Sequence, residues 1–232
     1  MQYHVGMIPD GNRRWAKAHG LKPWEGHREG SKKGELFIEW CVDNPDIDEI
    51  SVYGLSEENF KRPAEELDNL YQLYEEELTR LLDNEKLHQG KVRVNIVSTD
   101  PGPLKPNFRR LMRRLTHETR RYDKKTLNML IGYTGQTEIL KSISSPLNRL
   151  RNLLFGLSEK DLEMGLQVKN PCDFVIRTGT EEKEREAKSG FLLWQSAYAE
   201  YYHINKFFPD VTVQDFNDAW AYFMNTKRKK GL

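Results

Sequence analysis

Cysteine is scarce in this 232-residue chain and charge of one sign does not dominate it. The two cysteines, Cys41 and Cys172, stand far apart and alone, which argues against a disulfide framework and a zinc site. No run approaches the roughly 18 apolar residues that span a bilayer. The opening M-Q-Y-H-V-G-M-I lacks a basic region followed by a long apolar core, so no secretory signal is expected and a cytoplasmic location is. Net charge is +1, from 36 Lys+Arg against 35 Asp+Glu, so no global field draws the chain to nucleic acid. What is present is aromatic content, 11%, too high for a disordered chain. With no linker in view, residues 1–232 are expected to form a single domain.

Coarse periodicity alternates strand with helix. Extended runs lie at His4–Ile8, Ile50–Leu55, Val92–Val97, Leu127–Tyr133 and Phe174–Ile176. Amphipathic stretches lie around Glu29–Val42, Glu65–Leu87, Phe108–Arg121, Thr137–Phe155 and Thr212–Met224. This predicts an α/β fold with a central, mostly parallel β-sheet surrounded by helices. The run E-E-K-E-R-E-A-K (Glu181–Lys188) reads as a solvated loop. Ligands of open parallel sheets bind outside the carboxyl ends of the strands, so the residues just after each strand are the ones to inspect.

The first strand runs into P-D-G-N-R-R-W (Pro9–Trp15). Gly11 lets backbone approach a ligand, and Arg13 and Arg14 suit phosphate oxygens. Asp10 is the odd member: a carboxylate among phosphate donors is repulsive unless a cation bridges them, and Mg²⁺ takes one or two carboxylates plus substrate phosphates. The competing reading is a helix-capping Asp10 with exposed arginines. Neither a Walker A loop nor G-x-G-x-x-G is present. The second strand is followed by L-S-E-E-N-F-K-R-P (Leu55–Pro63), offering Ser56, Asn59 and Arg62. The fifth ends near Arg177 in I-R-T-G-T. Three strand ends supplying an arginine, with one aspartate among them, point to a diphosphate site.

These segments carry a resemblance. H-V-G-M-I-P-D-G-N-R-R-W-A-K, G-H-R-E-G at Gly26–Gly30, S-E-E-N-F-K-R-P and F-L-L-W-Q-S-A-Y-A-E at Phe191–Glu200 resemble the cis-prenyltransferases, the family of undecaprenyl diphosphate synthase. The resemblance implies a homodimeric or heterodimeric assembly and an apolar tunnel lined by helices such as Leu36–Cys41 and Leu67–Tyr74. Ordinary core packing is the competing account of those helices. It also implies an allylic diphosphate held by Gly11, Asn12, Arg13, Arg14, Trp15, His27 and Arg62. Mg²⁺ would be held by Asp10 with help from Glu200, and Asn59 and Ser56 would order the reacting centre. Isopentenyl diphosphate or another acceptor would sit on Arg177 and Ser189.

Departures from the family pattern gather on the acceptor side. The segment from Arg177 to Phe191 is about four residues longer than the family's R-T-S-G-E-x-R-L-S-N-F, and Ala187 stands where a second arginine is usual. Gly132–Gln136 reads G-Y-T-G-Q for N-Y-G-G-R, and Lys229 replaces the arginine of a C-terminal R-x-G; on the donor side, Pro23 stands where an allylic-phosphate arginine is common, with Lys22 as its stand-in. A relaxed acceptor site is therefore expected beside an intact donor site. A non-catalytic partner subunit is the alternative, against which Asp10, Asn12 and the phosphate arginines weigh. Two features read as bland. Asp43–Asp48 (D-N-P-D-I-D) is a solvated turn, and Phe108, Leu111, Met112 and Leu115 form a core stripe whose basic opposite side could also meet anionic lipid.

Overall fold

The structure, a computed structural model, describes residues 2–145, 148, 156, 158–180 and 188–226. Six strands form one sheet: β1 (Tyr3–Ile8), β2 (Ile47–Ser56), β3 (Val92–Val97), β4 (Lys125–Tyr133), β5 (Phe174–Thr178) and β6 (Glu200–Ile204). Their order is β3-β4-β2-β1-β5-β6 and every neighbouring pair is parallel. Both faces of the sheet are covered, so the central strands are largely buried, and their polar residues His4, Glu49, Ser51 and Asn128 satisfy one another by hydrogen bonds. Alternate residues divide between the faces. Phe174 and Ile176 enter the larger core, under α2 (Pro23–Asp43), α3 (Ala64–Leu82), α5 (Pro106–Thr119) and α8 (Val213–Asn225). Val175, between them, packs on the other face with Phe191, Leu192 and Tyr133.

The remaining helices are α1 (Asn12–Ala18), α4 (Glu85–Gln89), α6 (Gly135–Ile143) and α7 (Glu159–Gly165). Some differ from the periodicity. The stretch expected to be one helix to Leu87 breaks at Asp83–Asn84, where the Asn84 side chain accepts from Leu87 N at 2.9 Å and starts α4. A short polar side chain that satisfies free N–H groups competes with helix continuation. α2 begins at Pro23, where the fixed φ of proline favours the first turn. The sixth strand, E-Y-Y-H-I, was not expected: it is a half-buried edge strand without clean alternation. Of the helix expected over Thr137–Phe155, α6 accounts for the first part, and residues 149–155 lie outside the described residues. So do residues 181–187, which hold most of the loop read as solvated, and Lys229.

Phe108, Met112 and Leu115 of α5 are buried, as a core stripe requires. Asp43–Asp48 runs from the last residue of α2 through a turn at Asn44–Asp46 into β2, where Lys125 Nζ donates to the carbonyls of Cys41, Asn44 and Ile47. Among the described residues no helix is long and apolar enough to cross a membrane.

Strand order locates the site. From β1 the chain crosses to β2 on one side, whereas from β5 it crosses to β6 on the other. The carboxyl ends of β1 and β5 therefore flank a topological switch point, where such sheets bind ligands. Ile8 is in register with Arg177, which brings Asp10 and Arg177 to the same edge.

Phe174 is fully buried and stacks on Phe223 at 4.5 Å. Phe174→Ala is expected to lower unfolding free energy by about 3–5 kcal/mol, read from the urea midpoint at unchanged slope.

Candidate active site

β1 ends at Ile8 and the backbone turns sharply through Gly11, whose φ is 102°. A side chain there would be strained and would meet Phe207. The turn aims Asp10 back across the strand ends. Its main chain is pinned by Thr178, whose hydroxyl accepts from Asp10 N and donates to Asp10 O, both at 2.8 Å. Its Oδ1 accepts from Gly11 N at 2.7 Å and Arg14 Nη2 at 3.2 Å, and its Oδ2 from Arg177 Nη2 at 2.8 Å. Arg177 Nη1 in turn donates to Ser189 Oγ at 2.8 Å. Ser189 is held at φ 49°, a conformation uncommon outside glycine, while its carbonyl accepts from Tyr53 at 3.1 Å. Asp10 with Arg14, and Arg177 with Ser189, two pairs more than 160 residues apart, thus form one connected group.

Within the chain itself, two guanidiniums neutralise Asp10. Arg177 also belongs to the last turn of pleat in β5 rather than to the loop after it.

A second cluster faces the first. Arg62 Nη1 lies 3.1 Å from His27 Nε2 and 3.2 Å from Glu66 Oε1, and Arg13 Nε lies 3.3 Å from the same carboxylate oxygen. Glu66, in the first turn of α3, is 3% exposed. The sequence reading missed it. A helix N-terminus favours a carboxylate, but the signal that Glu66 serves two arginines exists only once α1 and α3 are packed together. His27 is neutral: partial burial, then Arg62 and Arg13 nearby, lower its pKa to about 3. Together Arg13, Arg14, Arg62 and Arg177 exceed Asp10 and Glu66 by two positive charges, a surplus suited to a polyanion.

Between these clusters opens a cavity of about 300 Å³, at the small end of ligand pockets. Asp10, Asn12, His27, Ser56, Asn59, Arg62 and Ser189 line its mouth, and Ile38, Val52, Leu73, Leu81 and Met129 line its depth. Asn12 packs so tightly on α2 that a Cβ at Gly30 would fall 2.1 Å from its Oδ1. Ser56 and Asn59 cap each other across the 3₁₀ turn Glu57–Lys61, Ser56 N donating to Asn59 Oδ1 at 3.1 Å. Ile38, Leu73 and Tyr74 come from the two helical stretches expected to border a tunnel.

Two expected residues are elsewhere. Trp15 donates its indole N–H to Asp210 at 2.8 Å and stacks on His19, outside the cavity lining. Glu200 is the first residue of β6, in register with Phe174, and accepts from Tyr222 at 2.8 Å. It lies at the amino end of β5 and β6, about 10 Å along the strands from the Arg177 level. Within one chain Glu200 and Asp10 cannot share an ion. Lys22 turns its ammonium over Trp24.

A family model described as "Putative undecaprenyl diphosphate synthase" matches residues 8–231. The chain belongs to the cis-prenyltransferase family. It is 35% identical over 98% of its length, and 84% of the relative's, to a tritrans,polycis-undecaprenyl-diphosphate synthase (geranylgeranyl-diphosphate specific) of Methanopyrus kandleri. It is 34% identical to an isoprenyl transferase of Thermus thermophilus, covering all of this chain and 89% of that one. Among solved structures, a probable undecaprenyl diphosphate synthase from Campylobacter jejuni superposes with a TM-score of 0.79 at 25% identity, covering 100% and 99% of the two chains. The lavandulyl diphosphate synthase of Lavandula x intermedia superposes at 0.87 with 24% identity over 99% and 98%, a likeness of fold. The chain is thus a prenyltransferase of isoprenoid biosynthesis built on a parallel six-stranded sheet.

Two expectations concern the second cluster. Glu66→Gln removes the charge facing the mostly buried Arg62 and should lower unfolding free energy by about 1–3 kcal/mol, measured by urea denaturation. His27 binds its proton near pH 6.5 in the unfolded chain and near 3 in the folded one. Its contribution to stability is therefore whole above 6.5 and is lost as pH falls between those values. Histidine NMR should find this ring neutral between about pH 5 and 8, and a midpoint near 6.5 would contradict its burial.

Proposed function

We propose that this enzyme transfers the prenyl group of an allylic diphosphate to isopentenyl diphosphate or a related isoprenoid acceptor, releasing diphosphate. One observation carries the reading: Arg62 at the mouth of a cavity with the linked Arg14 and Arg177 on Asp10 beside it, and Ile38, Val52, Leu73 and Met129 giving that cavity an apolar middle, an arrangement that matches the polarity of a prenyl diphosphate.

Arg13, Arg14 and Arg62 would grip the leaving diphosphate, with the neutral His27 as a further polar contact. The C–O bond breaks with its electron pair going to the diphosphate, so guanidiniums fixed there stabilise the transition state more than the ground state. The acceptor's double bond then forms the new C–C bond and a proton leaves the adjoining carbon. Ser56 and Asn59, rigid by mutual capping, would orient the reacting carbons. Arg177 and Ser189 would hold the acceptor diphosphate. Ala187 in place of the family's second arginine removes a forked contact from that side, which favours a broadened acceptor range.

Asp10 suits Mg²⁺ that arrives with the diphosphate. Its carboxylate is partly exposed at the cavity mouth, and a single carboxylate with substrate phosphates is an ordinary Mg²⁺ environment. Among the described residues no cluster of three carboxylate, histidine or cysteine ligands exists to keep an ion without substrate. When bound, the ion would neutralise charge on the leaving diphosphate. A homodimer and contact with anionic lipid belong to the same reading.

Purified protein with Mg²⁺, allylic diphosphates and a panel of acceptors tests it. Asp10→Asn keeps the side-chain shape and should cost about 10²–10³ in kcat, by analogy with removing one preorganised electrostatic contact. Undiminished turnover in that variant would refute the assignment, and strict use of isopentenyl diphosphate alone would refute the broadened acceptor range.

A further inference from the structure

The cavity has an end, and the end is ionic. From the diphosphate mouth it follows the groove between α2 and α3, which run side by side in the same direction. Arg28 pairs with Glu76 at 2.7 Å, Glu35 approaches Arg80 at 3.8 Å, and beyond α3 Lys86 pairs with Glu39 at 3.2 Å. His27 and Ile38 mark the two ends of the cavity on α2, about 16 Å apart at 1.5 Å per residue. At the far end Glu35, Glu77 and Arg80 enter the lining, with Arg80 bonded to Glu77. Past Ile38 and Leu81 the groove narrows to a separate void of about 10 Å³, barely room for one water.

We propose that this cluster ends the hydrocarbon compartment, so that the enzyme binds and makes short prenyl diphosphates. An extended carbon chain advances about 1.3 Å per bond, so 16 Å holds about a dozen bonds, or three prenyl units. A third unit reaches Glu35, about 12 Å from His27 along α2, and the partly exposed Arg80, and a fourth must press apolar carbon past them and Glu77 or part α2 from α3. The first course desolvates charges without giving them new partners. The second separates Ile38 and Leu73 as well as the ion pairs. The named specificity of the Methanopyrus relative is for a four-unit donor, which this compartment would exclude. The inference rests on the prenyltransferase reading and adds the length of chain that it handles.

Gly34 offers a clean handle. A Cβ there would meet nothing within 4 Å, and the residue lines the cavity. Calorimetric binding of thiodiphosphate analogues of one to four prenyl units, with Mg²⁺, is the test. In the wild type, affinity should rise about tenfold or more per unit up to the third, then gain less than about twofold or fall at the fourth. Gly34→Leu should weaken the two- and three-unit ligands at least about tenfold while leaving the one-unit ligand nearly unchanged. Glu35→Leu with Arg80→Leu should let the fourth unit add affinity. Affinity that climbs through the fourth unit in the wild type, or Gly34→Leu binding every length as before, would overturn the proposal. Loss of fold in a variant, visible by circular dichroism, leaves the wild-type series to decide. Failure to bind any length would instead overturn the underlying prenyltransferase reading, and this inference with it.

Discussion

A carboxylate shared by two guanidiniums across the ends of neighbouring strands organises the site. Asp10 takes Arg14 from the helix that follows it and Arg177 from β5, and Arg177 is 5% exposed. Out of bulk water such a pair interacts more strongly than on the surface, and removing Asp10 would leave the charge of the buried Arg177 uncompensated by this carboxylate. Through this contact β1, α1, β5 and the turn at Ser189 are placed relative to one another. Thr178 adds main-chain bonds on both sides of Asp10 and removes the remaining freedom of the turn. The pair also gives a diphosphate something to compete for: phosphate oxygens can take over the guanidiniums.

The opposite wall is built on the same logic with signs arranged differently. Glu66 is buried beneath two arginines and orients them, while His27 accepts Arg62 and stays uncharged. Arginine geometry is thus set before substrate arrives, which reduces the ordering cost of binding. Neither wall is apolar, yet the groove between α2 and α3 is, until Glu35, Glu77 and Arg80 close it.

Much of this was legible before folding was known. β3 has the bounds its alternation predicts, and β1 and β5 differ by only a few residues. The motif arginines, Asp10, Ser56, Asn59 and His27 all fall around one cavity or its rim. Where reading failed, the cause was distance in sequence or weak local pattern. E-Y-Y-H-I has no clean alternation because an edge strand is only half covered. Glu66 looked like one acid among many in a charged helix. Glu200 sits in a motif shared with the family, but parallel pairing with β5 carries it to the far end of the sheet.

Local pattern sufficed for the alternation of strands and helices, the capping turns and the supply of guanidiniums at strand ends, because these depend on neighbours a few residues away. Strand order settled everything else. It chose which ends meet, added Arg177 to the local Arg14 as a partner of Asp10, removed Trp15 and Glu200 from the cleft, and set an ionic stop to the groove. Pairing between charges more than a hundred residues apart depends on the relative placement of whole strands and helices, and that placement arises only when their apolar faces pack together.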